Sequence, residues 1–271
     1  FYQAIGINLK QIYGQTEITG IAYMHSDGDV KSDTVGIPLP KTECKISEEG
    51  EILYRSPSVC RGYNKLPEKA EELLTEGWLH SGDAGYIDDN GHLVVIDRLA
   101  DVMHNRDGEM FSPQFLENKL KFSPYVKEAV IFGDKREFVS VLVNIDPIIV
   151  GKWAEDRGIS FTTFMDLSLK PEVAELIGKQ IEAFNCSVEK PHFRIRRWAM
   201  LYKLLDVDDG DLTKTGKIRR KFVREKYTDL YEALYDESVS EKTVEAQFQY
   251  QDGQTTTVET LLPFYTMEEV Q

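Results

Sequence analysis

The sequence predicts a mixed α/β (α+β) fold, with a small antiparallel β unit early in the chain and strands joined by helices after it. Before residue 98, short apolar runs are separated by Gly, Pro and Asp, which is typical of small antiparallel sheets. Beyond that point, apolar residues recur at helical spacing, most clearly over residues 171–189. A chain of 271 residues is long enough for two domains. We therefore predict one domain over residues 1–98 and a second over residues 99–271.

The predicted elements of the first domain are short. Residues 1–9 are apolar and lead into a polar cluster, Tyr13–Glu17, whose glycine favours a loop. Strands are predicted at Glu51–Arg55 and His92–Ile96, and a short helix that begins with proline at residues 67–74. Between the last two strands, Asp88–Gly91 predicts a hairpin turn, because an Asn-Gly pair readily supplies two residues at positive φ.

The second domain is predicted to alternate helices and strands. Its elements are a helix from Pro113 to about Lys121, strands at Lys127–Phe132 and Phe138–Asp146, a helix carrying Trp153 and Ala154, and an amphipathic helix over residues 171–189. The last forty residues are acidic, but Val244, Ala246, Phe248 and Tyr250 alternate with polar residues before Asp252-Gly253. This alternation predicts a terminal β-hairpin.

Charge and composition exclude several classes of function. With 32 Lys and Arg against 46 Asp and Glu, the net charge of −14 disfavours sequence-independent binding to nucleic acid or to an anionic membrane. No run approaches the roughly 20 apolar residues of a membrane-spanning helix, and the first residues do not resemble a signal peptide. The three cysteines lack C-x-x-C spacing, which fits reduced thiols. We predict a cytoplasmic protein and leave peripheral attachment to a membrane open.

The first cluster that could carry chemistry is Tyr13–Glu17. The aromatic face of Tyr13 can stack on a base, and the hydroxyl of Thr16 can bond a phosphate oxygen. The carboxylate of Glu17 can hold Mg²⁺, which usually keeps several waters and takes one or two protein carboxylates. Taken by itself, this cluster is better explained as an ordinary polar turn than as a binding site.

The second cluster is Gly77–Tyr86, followed by Asp97 and Arg98. Asp83 stands close to two glycines, so its carboxylate can accept bonds from two sugar hydroxyls while the backbone approaches closely, and Arg98 can donate to the same sugar. The alternative is a turn aspartate with a surface arginine. His80 is better explained as a structural residue than as a catalytic one.

The third cluster is Asp211–Arg220, within a stretch rich in Lys and Arg that extends to residue 226. Gly216 permits movement, and Lys217 supplies a point charge that could neutralise a phosphate or carboxylate as charge develops in a transition state. A solvated basic face is one alternative. A nucleic-acid patch is another, but Asp211–Arg220 has no interleaved aromatic platform and the whole chain is acidic.

Together these residues resemble the adenylate-forming superfamily of acyl-CoA synthetases, peptide-synthetase adenylation domains and firefly luciferase. The matches, in chain order, are Tyr13–Glu17 to Y-G-x-T-E, Gly50-Glu51-Ile52 to G-E-[IL], Arg61-Gly62-Tyr63 to [KR]-G-Y, Trp78–Gly85 to W-x-x-[ST]-G-D-x-G, Arg98–Asp101 to the hinge, Gly108 with Phe111, Pro113 and Glu117 to G-x-x-[IV]-x-P-x-x-[IV]-E, and Thr213–Lys217 to T-x-[ST]-G-K. The order of the motifs agrees as well as their content.

The resemblance implies a two-step reaction. A carboxylate attacks the α-phosphate of ATP to give acyl-AMP and pyrophosphate, and a thiol such as CoA then displaces AMP. The implied site residues are Tyr13, Gly14 and Gln15 around adenine, Thr16 at phosphate, Glu17 at Mg²⁺, Asp83 and Arg98 at the ribose, Lys217 at the adenylation transition state, and Gly108 facing the thiol. The resemblance also implies a mobile C-terminal lid domain that swings between the two steps.

Two departures from the family pattern affect this interpretation. The pivot two residues after the hinge arginine is commonly Asp or Lys, but it is Ala100 here, and Asp101 follows it. The phosphate loop that precedes Y-G-x-T-E in complete enzymes has no counterpart. We therefore expect a C-terminal half that begins with part of the large N-terminal domain, lacks most of the acyl pocket, and turns over little or nothing alone.

Within the superfamily, the chain looks most like long-chain fatty acyl-CoA synthetases. Three features resemble them: the sequence of Tyr13–Glu17, the approach Val95–Arg98 to the hinge, and the long tail after Lys217. The implied ligands are ATP or AMP, Mg²⁺, CoA and a fatty acid, with the missing N-terminal domain as a partner. The alternatives are a ligase for another carboxylate, a luciferase-like monooxygenase, and a non-catalytic nucleotide-binding or interaction module.

Overall fold

The chain divides into two units, Phe1–Val102 and Met103–Gln271. The computed structural model describes residues 2–66, 68, 73–249 and 255–267. None of the helices in those ranges combines the length and the apolar character needed to cross a membrane. Helices and antiparallel sheets occur together, so the predicted α/β (α+β) class is confirmed.

Short antiparallel strands dominate the first unit. They are β1 (Ile12–Tyr13), β2 (Tyr23–Met24), β3 (Ile37–Pro38), β4 (Glu43–Ile46), β5 (Glu51–Arg55), β6 (Leu74–Thr75), β7 (Trp78–Ile87) and β8 (Leu93–Arg98). Strands β1, β2 and β3 form one sheet in that order. In the other sheet, β5 lies between β4 and β7, and β7 also pairs with β6 and β8. The predicted small antiparallel unit is therefore confirmed.

The core of the first unit lies beside the first polar cluster. Ile18, which directly follows Glu17, is buried with Ile52 and Tyr54 of β5 and with Leu79 of β7. Because Ile18 is anchored in this core, the residues just before it are held against the first unit rather than left as a free loop.

Two sequence predictions in this unit need correction. The turn Asp88–Gly91 is present, but Gly91 alone of its residues has positive φ, 81°. The Asp88 carboxylate accepts bonds from the amides of Asn90 and His92, and this side-chain cap replaces the second positive-φ residue. The helix predicted over residues 67–74 lies mostly outside the described residues, and its last residue, Leu74, is in strand β6, paired with β7.

A buried histidine network is expected to make the stability of the first unit depend on pH. The Nδ1 atom of His25 accepts the amide of Gln11 at 3.1 Å, and Thr34 Oγ1 lies 2.9 Å from both His25 Nε2 and His92 Nδ1. His92 Nε2 in turn lies 2.8 Å from the Asp29 carboxylate. Burial, and next the nearby His92, lower the pKa of His25.

Because the pKa of His25 is lower when folded, the unfolded chain binds the proton more tightly. Stability is therefore expected to fall as the pH drops below the ordinary histidine pKa, about 6.5. Urea unfolding at pH 7.5 and at pH 5.5 measures the effect, and His25→Gln should reduce the difference between the two free energies of unfolding. An equal difference in the variant and the parent chain would show that His25 is not responsible.

The second unit places helices on both faces of a mixed sheet. Its elements are β9 (Met103–His104), β10 (Met110–Phe111), α1 (Pro113–Leu120), β11 (Val126–Phe132), β12 (Val139–Ile145), α2 (Pro147–Glu155), α3 (Phe164–Ser168), α4 (Pro171–Cys186), β13 (Ile195–Met200), α5 (Arg220–Lys226), α6 (Thr228–Leu234), β14 (Glu241–Gln249), β15 (Thr255–Pro263) and β16 (Tyr265–Thr266). The sheet order is β11-β12-β13-β16, with β12 and β13 parallel. All seven residues of β12 are buried, because the sheet is covered on both faces.

The predicted helices and strands of this unit are confirmed within a few residues. Ser112 caps α1 by accepting the amide of Phe115, and proline follows it at the first helical position. In α4 the predicted apolar face is buried at Val173, Ile177, Ile181 and Phe184, and Leu176 is half-buried. The terminal hairpin is present as β14 paired with β15, and its predicted turn at residues 252–253 lies outside the described residues.

Candidate active site

Asp83 is held between an aromatic hydroxyl and a guanidinium group. It lies in β7, directly opposite Arg98 in β8. Tyr13 donates its hydroxyl to Asp83 Oδ2 at 2.5 Å, and Arg98 Nη1 lies 3.0 Å from Oδ1. Asp83 is 9% exposed, whereas the side chain of Arg98 is 62% exposed. The structure thus brings Tyr13, Asp83 and Arg98 together. Asp83 lies in a strand and not in a turn, so it is not the turn aspartate of the alternative interpretation.

Tyr13 is a neutral donor in this arrangement. Burial, and then the Asp83 carboxylate that accepts its bond, raise the pKa of Tyr13 well above its ordinary value. Its ring lies 6.1 Å from the ring of Tyr54, measured between centroids. The hydroxyl therefore keeps its proton at every physiological pH and fixes one oxygen of Asp83.

The residues after Tyr13 turn sharply because Gly14 has no side chain. A Cβ at Gly14 would lie 2.2 Å from the carbonyl oxygen of Gly20, so no larger residue fits this close approach. Residues Thr16–Ile18 then form one turn of 3-10 helix. Gln15 Nε2 is buried without a hydrogen-bond partner among the described residues. An unsatisfied buried donor beside Tyr13 fits a site that receives a polar ligand.

Glu17 is positioned by a residue that sequence reasoning had treated only as part of a motif. Tyr63 donates its hydroxyl to Glu17 Oε1 at 2.5 Å, and this bond raises the pKa of Tyr63. Among the described residues, no group of three His, Cys, Asp or Glu side chains is arranged to hold a metal ion. A single carboxylate such as that of Glu17 can hold Mg²⁺ where substrate phosphates and waters complete the metal's shell.

His80 contacts a carboxylate of the neighbouring strand β5. Its Nδ1 atom lies 2.7 Å from Glu51 Oε2, while Glu51 Oε1 accepts the amide of Gly82 at 2.8 Å. Glu51 therefore braces the backbone immediately before Asp83. The G-E-[IL] match was the available signal for Glu51, but the spacing did not show which backbone group it would bind.

In the second unit, Gly108 lies at the turn of the β9–β10 hairpin. It has φ of 83°, which glycine adopts without strain. The side chain of Asn105 accepts the amides of Asp107 and Glu109, so the turn is closed from within. Gly108 is exposed at its tip.

Lys217 lies on a second hairpin of this unit, which we call the Lys217 hairpin and define as residues 212–218. A bridge joins Leu212 to Ile218, and Thr213 exchanges two bonds with Lys217: its amide donates to the Lys217 carbonyl at 2.8 Å, and its hydroxyl accepts the Lys217 amide at 3.0 Å. Gly216 has φ of 77°. The Lys217 side chain is exposed, and within the described residues its ammonium group has no hydrogen bond or ion pair.

Comparison with known proteins assigns the chain to a family. Residues 100–239 match the sequence model described as the AMP-binding enzyme C-terminal domain, and residues 1–64 match the one described as AMP-binding enzyme. The chain therefore belongs to the AMP-binding enzyme family.

Curated relatives are similar to the chain over only part of their own length. It is 30% identical over 237 residues to the long-chain-fatty-acid–CoA ligase FadD15 of Mycobacterium bovis, with 87% of this chain and 39% of the relative covered. It is 31% identical over 250 residues to human long-chain-fatty-acid–CoA ligase 6, with 87% of this chain and 36% of the relative covered. The chain thus spans less than half the length of these relatives.

A solved structure supports the fold. The adenylation domain of a carboxylate reductase from Mycobacterium chelonae matches with a TM-score of 0.60 and 21% sequence identity, over 86% of this chain and 36% of that chain. At this level of identity the likeness concerns the fold alone.

Proposed function

We propose that the chain is the C-terminal part of an AMP-forming ligase that activates a long-chain fatty acid with ATP and transfers the acyl group to CoA. The observation that carries the proposal is the Asp83 carboxylate, fixed by Tyr13 and Arg98 where β7 pairs with β8. The names of the relatives support the fatty acid as the carboxylate.

Asp83 suits the ribose of a nucleotide. Each carboxylate oxygen has two lone pairs, and one protein donor at each oxygen leaves capacity for a sugar hydroxyl. Arg98 is exposed enough to donate to the same sugar. The unpaired Gln15 Nε2 could donate to an acceptor on the nucleotide, with the Tyr13 ring beside the base and Gly14 leaving the backbone accessible.

Thr16 and Glu17 suit the phosphate end. Thr16 is exposed and its hydroxyl can donate to a phosphate oxygen, while Tyr63 occupies one Glu17 oxygen and leaves the other open. A bound Mg²⁺ would neutralise charge on the phosphates. Glu17 would hold it with a single oxygen, and Tyr63 would orient that oxygen by fixing the other.

Lys217 suits the first chemical step. In that step a fatty-acid carboxylate oxygen bonds to the α-phosphorus, and the bond to pyrophosphate breaks. The exposed ammonium group of Lys217 would stabilise the negative charge that develops there. In the second step the CoA thiolate attacks the acyl carbonyl and AMP departs, with the Gly108 turn facing the thiol. The domain over residues 99–271 would serve both steps and turn at Ala100 or Asp101.

The proposal extends to partners and location. The ligands are ATP, Mg²⁺, CoA and a fatty acid, and the remainder of the ligase, including its phosphate loop and acyl pocket, would belong to the same polypeptide. The ligase would act in the cytoplasm or at a membrane surface, where long-chain fatty acids partition.

ATP–pyrophosphate exchange tests the proposal. The assay would run over carboxylates from acetate to palmitate, on this chain and on the protein with its upstream sequence restored. We expect exchange by the longer protein with long-chain fatty acids only, and none by this chain. Exchange with short carboxylates but not with long ones would change the substrate class. Exchange catalysed by the isolated chain would overturn the interpretation of the chain as an inactive fragment. Absence of exchange with both proteins would favour a non-catalytic module.

A further inference from the structure

Two ion pairs, each with a buried carboxylate, hold the ends of the Lys217 hairpin. Asp211 directly precedes the hairpin, and Arg220 follows it by two residues as the first residue of α5. Lys226, the last residue of α5, pairs with Asp211, and Arg220 pairs with Glu117 of α1. Helix α5, which follows the hairpin, therefore forms one of these ion pairs at each of its ends.

The first pair, Glu117 with Arg220, is tied to the central sheet. Glu117 is 3% exposed, and Arg220 Nη2 lies 2.6 Å from each of its carboxylate oxygens. Oε1 also accepts the amide of Ile131 in β11 at 2.8 Å. Burial raises the pKa of Glu117, and the guanidinium group of Arg220 and the Ile131 amide oppose that rise. The start of α5 is therefore attached to β11 through one carboxylate.

The second pair, Asp211 with Lys226, fixes the other side of the hairpin stem, by which we mean residues 211–212 and 218–220. Asp211 is fully buried, and Lys226 Nζ lies 2.8 and 2.9 Å from its two oxygens. The backbone carbonyl of Asp211 accepts the amide of Arg219 at 2.8 Å. The residue that begins the stem is thus fixed to the end of α5 by its side chain and to the end of the hairpin by its backbone.

These pairs favour one geometry of the stem more than they favour folding. A buried ion pair is about as stable as an apolar pair of the same volume, but it is satisfied only when both charged groups meet in the correct orientation. Within the Lys217 hairpin, Leu212 and Ile218 pack against the buried core of the second unit, whereas residues 214–217 at its tip are exposed. The direction in which Lys217 projects therefore depends on the stem.

We propose that Glu117 and Asp211 are positioning residues for Lys217: through Arg220 and Lys226 they hold the stem of the Lys217 hairpin in the conformation that adenylation requires. This inference rests on the proposed function. It assigns a role in the first chemical step to two carboxylates that do not touch the reacting atoms.

The two half-reactions of the full-length protein separate positioning from folding. Because Lys217 is proposed to act only in adenylation, Glu117→Gln should lower kcat for ATP–pyrophosphate exchange about tenfold with a KM for ATP changed less than about twofold. Thioester formation from supplied acyl-AMP and CoA should change less than about twofold. Parallel losses in both half-reactions would overturn the proposal. The matched control is Glu175→Gln, which breaks an exposed pair with Lys179 on α4 and should leave both rates unchanged.

A double-variant cycle tests whether Glu117 acts through Lys217. In a Lys217→Ala background, Glu117→Gln should cause no further loss of exchange, because the group it positions is gone. An additional loss as large as in the parent protein would show that Glu117 acts independently and would overturn the proposal. If Lys217→Ala alone leaves exchange intact, the proposed function fails instead, so the two failures are distinguishable.

Two further measurements on this chain control for folding. The double variant Glu117→Met with Arg220→Leu removes both charges together with the acceptor of the Ile131 amide, and both it and Glu117→Gln should still unfold cooperatively on heating, above the temperature of the assays. Amide hydrogen exchange at Thr213, Gly216 and Lys217 should nevertheless be faster in both variants than in the parent chain, while β12 keeps its protection. Unchanged protection of these three amides in both variants would overturn the proposal.

Discussion

Replacing Lys217 with alanine is expected to lower the rate of acyl-adenylate formation by about a hundredfold or more in the full-length protein. The side chain is exposed and unpaired among the described residues, so the substitution removes a charge without breaking a structural contact. A positive group placed where negative charge develops in a transition state contributes on the order of 10²-fold or more to a rate. Initial rates of ATP–pyrophosphate exchange at saturating ATP and fatty acid measure the effect.

Lys221→Ala is the matched control for this prediction. Lys221 is an exposed lysine on α5, four residues after Lys217, so its removal changes the net charge equally. Exchange by this variant should stay within about twofold of the parent rate. If Lys217→Ala lowers exchange by no more than about tenfold, equivalent to about 1.4 kcal/mol, Lys217 is not the lysine that stabilises the transition state.

Asp83→Asn is expected to weaken ATP binding about ten- to a hundredfold. The amide keeps the shape of the side chain but loses the charge that accepts bonds from Tyr13 and Arg98, and hydrogen bonds to a charged group contribute about 1.5–3 kcal/mol each. One end of the asparagine side chain also becomes a donor, which cannot accept from a ribose hydroxyl. Calorimetric titration of ATP into the parent protein and the variant measures the change in Kd.

A ligand lacking the ribose hydroxyls locates the lost interaction. If Asp83 binds the sugar, the parent protein and Asp83→Asn should bind 2′,3′-dideoxy-ATP with nearly equal affinity. An equally large loss with this ligand would show that Asp83 supports the fold and does not contact the sugar. Asp89→Asn, at an exposed position in the β7–β8 turn, is the control and should bind both nucleotides as the parent does.

Local sequence patterns predicted most secondary-structure elements well. Helix α1 was predictable because Ser112-Pro113 is a cap followed by a residue suited to the first helical turn, and α4 because its apolar residues repeat at helical spacing. The positive φ predicted for Asn90 was wrong, because the Asp88 side chain satisfies the turn instead. The Asn-Gly pair indicates a backbone preference only. It does not include the hydrogen bonds that a nearby side chain such as Asp88 can accept, and these decide the conformation of the turn.

The candidate site was predictable as a set of residues but not as an arrangement. Tyr13 and Asp83 were each proposed for a nucleotide, yet the bond between them joins positions seventy residues apart. Tyr63 and Glu51 entered only as motif residues, although they orient Glu17 and the backbone before Asp83. Such partners depend on which strands pair and in what register, and neither follows from local spacing.

In the basic stretch after residue 213, too, the residues could be predicted from the sequence but their partners could not. Its charge pattern indicated either a solvated face or a site for an anion, and the pattern treats every Lys and Arg alike. In the fold, Lys217 is exposed, whereas Arg220 and Lys226 bind the buried carboxylates of Glu117 and Asp211. Residue types and short-range periodicity were enough to establish the family resemblance, the fold class and most element boundaries, because these depend on neighbours in the chain. Which carboxylate meets which cation depends on long-range packing, because only a folded core removes those charges from water and requires each one to find its partner.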